Sequence, residues 1–127
     1  MFGKIQCCKM FAMATDEIGM VNRKKKLYQE SLKNFQESYA IYEELKDSLG
    51  IVRAGQNIGR AYLFQNNWDS CYFYYNNALE LARKKQYPSE VSILHELGIL
   101  YRSMGELKKS ERYFLAAYEK ETDEERK

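Results

Sequence analysis

The chain has 127 residues, 45% of them hydrophobic and 30% charged, with a formal net charge of +2. That length suits one domain with a modest core, and mixed charges on so apolar a chain exclude a disordered polar segment. A charge this close to zero makes neither nucleic acid nor a membrane surface the expected partner.

Three cysteines cannot all pair, and two of them, Cys7 and Cys8, are adjacent. A disulfide framework is therefore not expected, which points to a reducing, cytoplasmic setting. No run of about 18 apolar residues is present, so no membrane span is expected. The N-terminus lacks the apolar core of a signal peptide. Met1 is followed at once by helical pattern, which is compatible with a piece of a longer protein.

The pattern predicts a first helix from about Lys4 to Lys24, with Phe11, Thr15, Ile18 and Asn22 on one side and Gly19 beside them. It ends in Arg23-Lys24-Lys25-Lys26, cations that suit a helix C-terminus and are expected to be solvated. A second helix, from about Leu27 to Lys46, carries Tyr28, Ser31, Leu32, Phe35, Ser38, Tyr39 and Tyr42 at three- and four-residue steps, a clear amphipathic stripe. Asp47 to Gly50 interrupts it, with Gly50 as the expected stop and Ser48 as the expected cap of the next helix. The third helix is expected from about Leu49 to Gln65, with Ile51, Gly55, Ile58 and Tyr62 inward. Asn66-Asn67 makes the turn, since Asn tolerates the left-handed conformation. Lys25-Lys26 and Met104-Gly105 are the matching turns, Gly105 suiting that geometry best and Lys26 worst. The fourth helix, from about Trp68 to Lys85, has the strongest stripe: Trp68, Cys71, Tyr72, Tyr75, Ala78, Leu79 and Ala82. Pro88 belongs in the first turn of a fifth helix running to about Ser103, with Val91, Leu94, Leu97, Gly98 and Tyr101 inward. The sixth is expected from about Glu106 to Asp123, with Leu107, Ser110, Phe114, Ala117 and Tyr118 inward. Beyond it the charged end from Thr122 is expected to fray.

These helices repeat one ladder. Gly19, Gly59 and Gly98 are spaced 40 and then 39 residues apart, and each is followed 12 residues on by a small residue: Ser31, Cys71 and Ser110. An aromatic follows four later (Phe35, Tyr75, Phe114) and another small residue seven later (Ser38, Ala78, Ala117). Three copies in register define a repeat. Small residues allow two antiparallel helices to approach closely, and the large ones fill the space between pairs. A hairpin alone cannot bury both sides of its second helix, so stability is expected to come from neighbouring hairpins.

The ladder resembles the tetratricopeptide repeat over about Ala12 to Thr122. The second and third copies carry Gly59-x-x-Tyr62 and Gly98-x-x-Tyr101 with the small, aromatic and small residues behind them. The first departs, with Asn22 in place of the Tyr and Thr15 in place of a bulky residue. Gly55 and Leu94 stand where the family's Trp is usual. The period exceeds the usual ~34, and the extra length is expected in the helices around the connections between repeats. HEAT and armadillo repeats have periods of about 40–47 but lack the glycine–tyrosine ladder. The resemblance implies an all-α superhelix of three stacked antiparallel hairpins, six helices in one domain over 1–127, with repeats at about 12–46, 49–86 and 88–123.

It also implies that the first helix of each pair lines a concave face that binds an extended peptide or a partner helix. Carried over, that face holds Met13, Asp16, Met20 and Arg23, continues with Arg53, Gln56, Asn57, Arg60 and Phe64, and ends with Ser92, His95, Glu96, Ile99 and Arg102. The peptide-binding residues expected from it are Arg53, Gln56, Asn57, Arg60, Phe64, His95, Ile99 and Arg102. Arginine forks recognise carboxylates, so an acidic or amide-rich peptide is the expected ligand. Chaperone-binding members clamp a C-terminal carboxylate with Lys, Asn and Arg. Only Asn57 matches here, so no affinity for Glu-Glu-Val-Asp tails is expected.

Catalytic and metal chemistry have little to stand on. His95 is the only histidine, and Cys7-Cys8 has no second ligand pair at zinc spacing. Cys71 stands in for a small packing residue. No phosphate-cradling glycine loop or nucleophile–base signature occurs. No enzyme activity, cofactor or metal is expected. Tyr72 to Tyr75 could suggest base stacking, but four consecutive helical residues point in different directions. Tyr72 and Tyr75 are expected inward, with Phe73 or Tyr74 partly outward. The sequence thus predicts a protein-interaction scaffold. The alternatives are a sensory or regulatory segment of a larger signalling protein and, less favoured, a nucleic-acid binder using Arg23 to Lys26, Arg53, Arg60 and Arg102. Leu115 and Tyr118 are expected to lie uncovered on the last helix, favouring either further chain or self-association through an end of the stack.

Overall fold

Five connections fold the chain into six helices, and all five use the same backbone device. In the computed structural model, which describes residues 2–126 and the side chains of 3–125, the helices are α1 (Phe2–Lys24), α2 (Tyr28–Glu44), α3 (Ser48–Phe64), α4 (Trp68–Lys85), α5 (Ser89–Ser103) and α6 (Leu107–Arg126). Among the described residues there is no strand. Each connection places one residue in the left-handed region: Lys26 (φ 66°), Lys46 (54°), Asn66 (58°), Gln86 (59°) and Gly105 (82°). The next residue's N–H then reaches back to a carbonyl five residues earlier, as in Leu27 to Asn22 (2.8 Å), Asn67 to Tyr62 (2.9 Å) and Glu106 to Tyr101 (2.9 Å). This satisfies carbonyls that the helix end would otherwise leave open. Lys26 takes the strained conformation although its side chain suits it poorly.

The start of α3 differs from the expectation. Asp47, not Ser48, is the cap, its side chain accepting from Gly50 N (3.1 Å). Gly50 does not stop a helix. It lies buried in the first turn of α3 under the Tyr42 ring, where a Cβ would collide. Pro88 sits at the N-cap of α5 with helical φ, where its missing N–H costs nothing.

Packing is tightest within the hairpins α1–α2, α3–α4 and α5–α6, and consecutive hairpins meet through α2–α3 and α4–α5. The ladder glycines are seats for aromatic rings. A Cβ on Gly19 would stand 2.8 Å from Phe35, on Gly59 2.5 Å from Tyr75, and on Gly98 2.6 Å from Phe114. The small residue 12 positions on has a second job that its size alone did not suggest. Ser31 Oγ donates to Gly19 O (2.9 Å), and Ser110 Oγ donates to Gly98 O (2.7 Å). Cys71, at the same place in the middle hairpin, is buried, and burial together with the Glu96 carboxylate pushes its thiol up to about 12. It stays a protonated packing residue.

Several predicted inward positions are corrected. Phe11 and Ile18 are exposed, and α1 buries Ala12, Thr15 and Gly19 instead. Tyr28 and Tyr72 are partly exposed, and Leu107 and Tyr118 are largely so. Ile93 and Leu100, absent from the predicted stripe of α5, are fully buried. The reason is geometric. A helix inside the stack is contacted on two sides, by its own hairpin partner and by the neighbouring hairpin. A single stripe therefore understates the inner helices and overstates the outer two.

Candidate functional site

The first helices of the hairpins run alongside one another and bound a cavity of about 290 Å³. Met13, Asp16, Glu17 and Met20 come from α1, Arg53, Gln56, Asn57 and Arg60 from α3, and Tyr42 closes the base from α2. The helical period explains the assembly: Met13, Glu17 and Met20, like Arg53, Gln56 and Arg60, recur at three- and four-residue steps on one face. Those of α1 face α3 opposite the exposed Ile18 side.

Asp16 is built into the wall. Ser38 donates to one carboxylate oxygen and the Tyr42 hydroxyl to the other (3.1 Å). Burial nonetheless raises its pKa, against the pull of those two hydrogen bonds. Burial and the adjacent Asp16 charge likewise push the Tyr42 hydroxyl far up, so it remains a donor. Lys9 reaches Asp47 (3.4 Å) at the α3 N-terminus, closing that end of the cavity.

Polar contacts tie α3 to α5. Arg60 Nη2 meets Glu96 Oε1 at 2.7 Å, and Gln56 Nε2 donates to Ser92 Oγ (3.1 Å) and to Glu96 Oε1 (3.3 Å). Asn57 is buried, its Oδ1 accepting from Arg60 Nη1 (3.3 Å). Buried Tyr75 lies behind Glu96, and burial and that carboxylate hold its hydroxyl protonated. Arg23, one helical turn beyond Met20 on α1, lies close to both Arg60 and Glu96. Burial and the Arg60 charge lower its pKa, with Glu96 opposing. Its Nη1 is buried and finds no acceptor among the described residues.

The eight predicted peptide-binding residues are therefore not one cluster. Arg53, Gln56, Asn57 and Arg60 share the α1–α3 cavity. His95 lines a second hollow between α5 and α6, with its ring 5.2 Å from Phe114, and Arg102 lies over the same Phe114 ring at 5.8 Å. The bridge from Arg60 and Gln56 to Glu96 and Ser92 stands between the two hollows. Phe64 is exposed at the far end of α3, stacked on Tyr28 (5.8 Å), and Ile99 is half-buried. Glu17 joins the cavity although it was not predicted; its spacing of four from Met13 was the available signal. Among the described residues no group of three or more His, Cys, Asp or Glu is placed to hold a metal ion. No helix described is long and apolar enough to cross a membrane.

Across the molecule the exposed aromatics pack on one another. Tyr74 meets Tyr39 edge-on (5.6 Å), stacks near Tyr62 (5.9 Å) and takes Phe73 edge-on (5.2 Å). They cement α2, α3 and α4 rather than present free ring faces.

Hairpins stacked so that their first helices enclose an open, polar-lined groove define an α-helical repeat solenoid, a general protein–protein interaction architecture. The tetratricopeptide repeat model matches the chain over 10–71 and 57–120, and the chain belongs to that family. Members of this family are generally non-catalytic interaction modules. No curated protein matches the chain. Among solved structures it is similar to the TPR domain of Arabidopsis FLU, with a TM-score of 0.84 and 13% identity over 91% of this chain and 98% of that one. BtubC (BKLC) from P. vanneervenii gives a TM-score of 0.83 at 14% identity, covering 90% of this chain and 48% of that one. The N-terminal domain of stress-induced protein-1 from C. elegans gives 0.70 at 16% identity, covering 87% and 84%. At such identities the likeness concerns the fold.

Proposed function

We propose that the groove along α1, α3 and α5 receives an extended acidic segment of a partner protein. One observation carries this reading: Arg23, half-buried beside Arg60, has a buried guanidinium nitrogen with no acceptor among the described residues. A buried unpaired donor costs about 1–3 kcal/mol. A ligand carboxylate there would supply the acceptor and offset the repulsion between the two guanidinium groups. Arg53, exposed on the cavity wall, provides a second cation. Gln56 and Arg60 are engaged with Glu96 and act as rigid walls. Ile99, Phe64 and the Phe114 ring beneath His95 offer apolar contact to either side.

The test is fluorescence anisotropy of the full chain with labelled Asp/Glu-rich peptides, a Lys-rich control peptide and a Glu-Glu-Val-Asp tail. The acidic set should bind with micromolar affinity, more weakly as salt rises, and the two others should not. Arg53→Ala and Arg23→Gln should each weaken binding by about tenfold or more, since a charge-assisted contact contributes about 1.5–3 kcal/mol. Circular dichroism should show both variants folded. Absence of binding to any acidic peptide, or variants that bind like the wild type, would refute the reading. A stronger and steeply salt-dependent response to RNA or DNA would assign the face to nucleic acid instead.

A further inference from the structure

The two ends of the stack are the two halves of one joint. In the inner helices the register of the ladder dictates burial. Ile58 of α3 is 0% exposed, packed with Ala61 against Leu32 and Phe35 of α2. Its counterpart on α1, Ile18, 40 residues earlier, is 53% exposed. Val21, the counterpart of Ala61, is exposed with it. At the other end, Leu79 of α4 is 3% exposed in the cluster with Leu94 and Leu97 of α5, whereas Tyr118, 39 residues later on α6, is 67% exposed. Thus α1 carries an apolar face of the kind that a preceding second helix covers, and α6 carries a face of the kind that a following first helix covers.

We propose that the chain self-assembles head to tail, α6 of one copy seating on α1 of the next and continuing the stack. The occupant is a second copy because the charges on the two faces match. Along the outer stripe of α1, through Phe11 and Ile18, the charged residues are Lys4 and Lys25; along that of α6, through Leu115 and Tyr118, they are Glu111 and Glu125. The inner joints set the register. Tyr72 of α4 meets Tyr101 of α5, ring centroids 6.5 Å apart. Moved along the ladder, that pair places Glu111 opposite Asn22 of the next copy, one turn from Lys25. The same antiparallel register brings Glu125 opposite Cys8, one turn from Lys4. Both ends therefore gain an opposite charge beside a newly buried apolar strip. The contact is heterologous, each copy keeping one free head and one free tail, so growth is open-ended. It lies on the sides of α1 and α6 away from the groove and does not depend on what the groove binds.

Sedimentation velocity of the full chain over a wide concentration range tests this with two variants. Ile18→Asp spoils the head and Tyr118→Asp the tail, and both side chains are exposed in the single copy, so the fold should survive. The wild type should grow past a dimer with concentration, and each variant alone should stay monomeric. Mixed in equal amounts, the variants should form a one-to-one heterodimer and nothing larger, because only one intact head and one intact tail remain. A wild type that stays monomeric throughout, or a Tyr118→Asp variant that still forms dimers through α1, would overturn the proposal.

Discussion

Gly55 and Gly59 stand about one turn apart on α3 and meet opposite packing demands. A Cβ at Gly59 would lie 2.5 Å from two atoms of the Tyr75 ring, which is fully buried and cannot withdraw. A Cβ at Gly55 would meet Ala78 and Tyr39 at 3.7 Å, an ordinary contact. Gly59→Ala should therefore cost about 1–3 kcal/mol by overpacking. Gly55→Ala should stabilise by about 0.5–1 kcal/mol, because a helical glycine gives up more backbone freedom than alanine. Urea denaturation of both variants checks the pair. The ladder glycines were legible from spacing alone. The ring that fills each seat was legible too, as the aromatic 16 residues on. Invisible was the hydroxyl of Ser31 and Ser110 donating to the glycine carbonyl, because a small residue and a hydrogen-bonding one share the letter Ser.

At the scale of the element, helix ends were the readable feature and outer faces were not. Every predicted helix is present and ends within a few residues of its expected bound, since Asn66, Pro88 and Gly105 punctuate the chain for stated physical reasons. Lys26, Lys46 and Gln86 occupy the same left-handed position without being residues that favour it. The tertiary stack overrides the local preference there. Replacing Lys26 by glycine should thus stabilise the chain by about 0.5–1 kcal/mol, and Gly105→Ala should cost a similar amount. Thermal unfolding would show the midpoints moving in opposite directions. Midpoints that both fall would mean that the loops, not the backbone angle, set the cost. The misassigned positions, Phe11, Ile18, Leu107 and Tyr118, all belong to α1 and α6. Those helices have apolar residues in the right register but no neighbour on their outer side, and register carries no information about whether a neighbour is present.

For the whole molecule, the repeat made the all-α stack and its groove readable before any coordinates. The division of the groove was not readable. Arg60, Gln56, Ser92 and Glu96 lie on separate helices, and only their packing shows that they bond to one another and separate the α1–α3 cavity from the α5–α6 hollow. Arg23 was placed on the concave face by resemblance, but its lack of an acceptor follows from burial and neighbours alone. The account therefore turns on a surface lined by first helices and short of negative charge at Arg23 and Arg53. A two-dimensional amide NMR titration of the full chain with an Asp/Glu-rich peptide tests this most directly. The account predicts shifts concentrated at Met20, Arg23, Arg53 and Asn57, with Phe73 and Tyr74 unmoved. Shifts confined to the aromatic side of α2 and α4, or no shifts at saturating peptide, would contradict it.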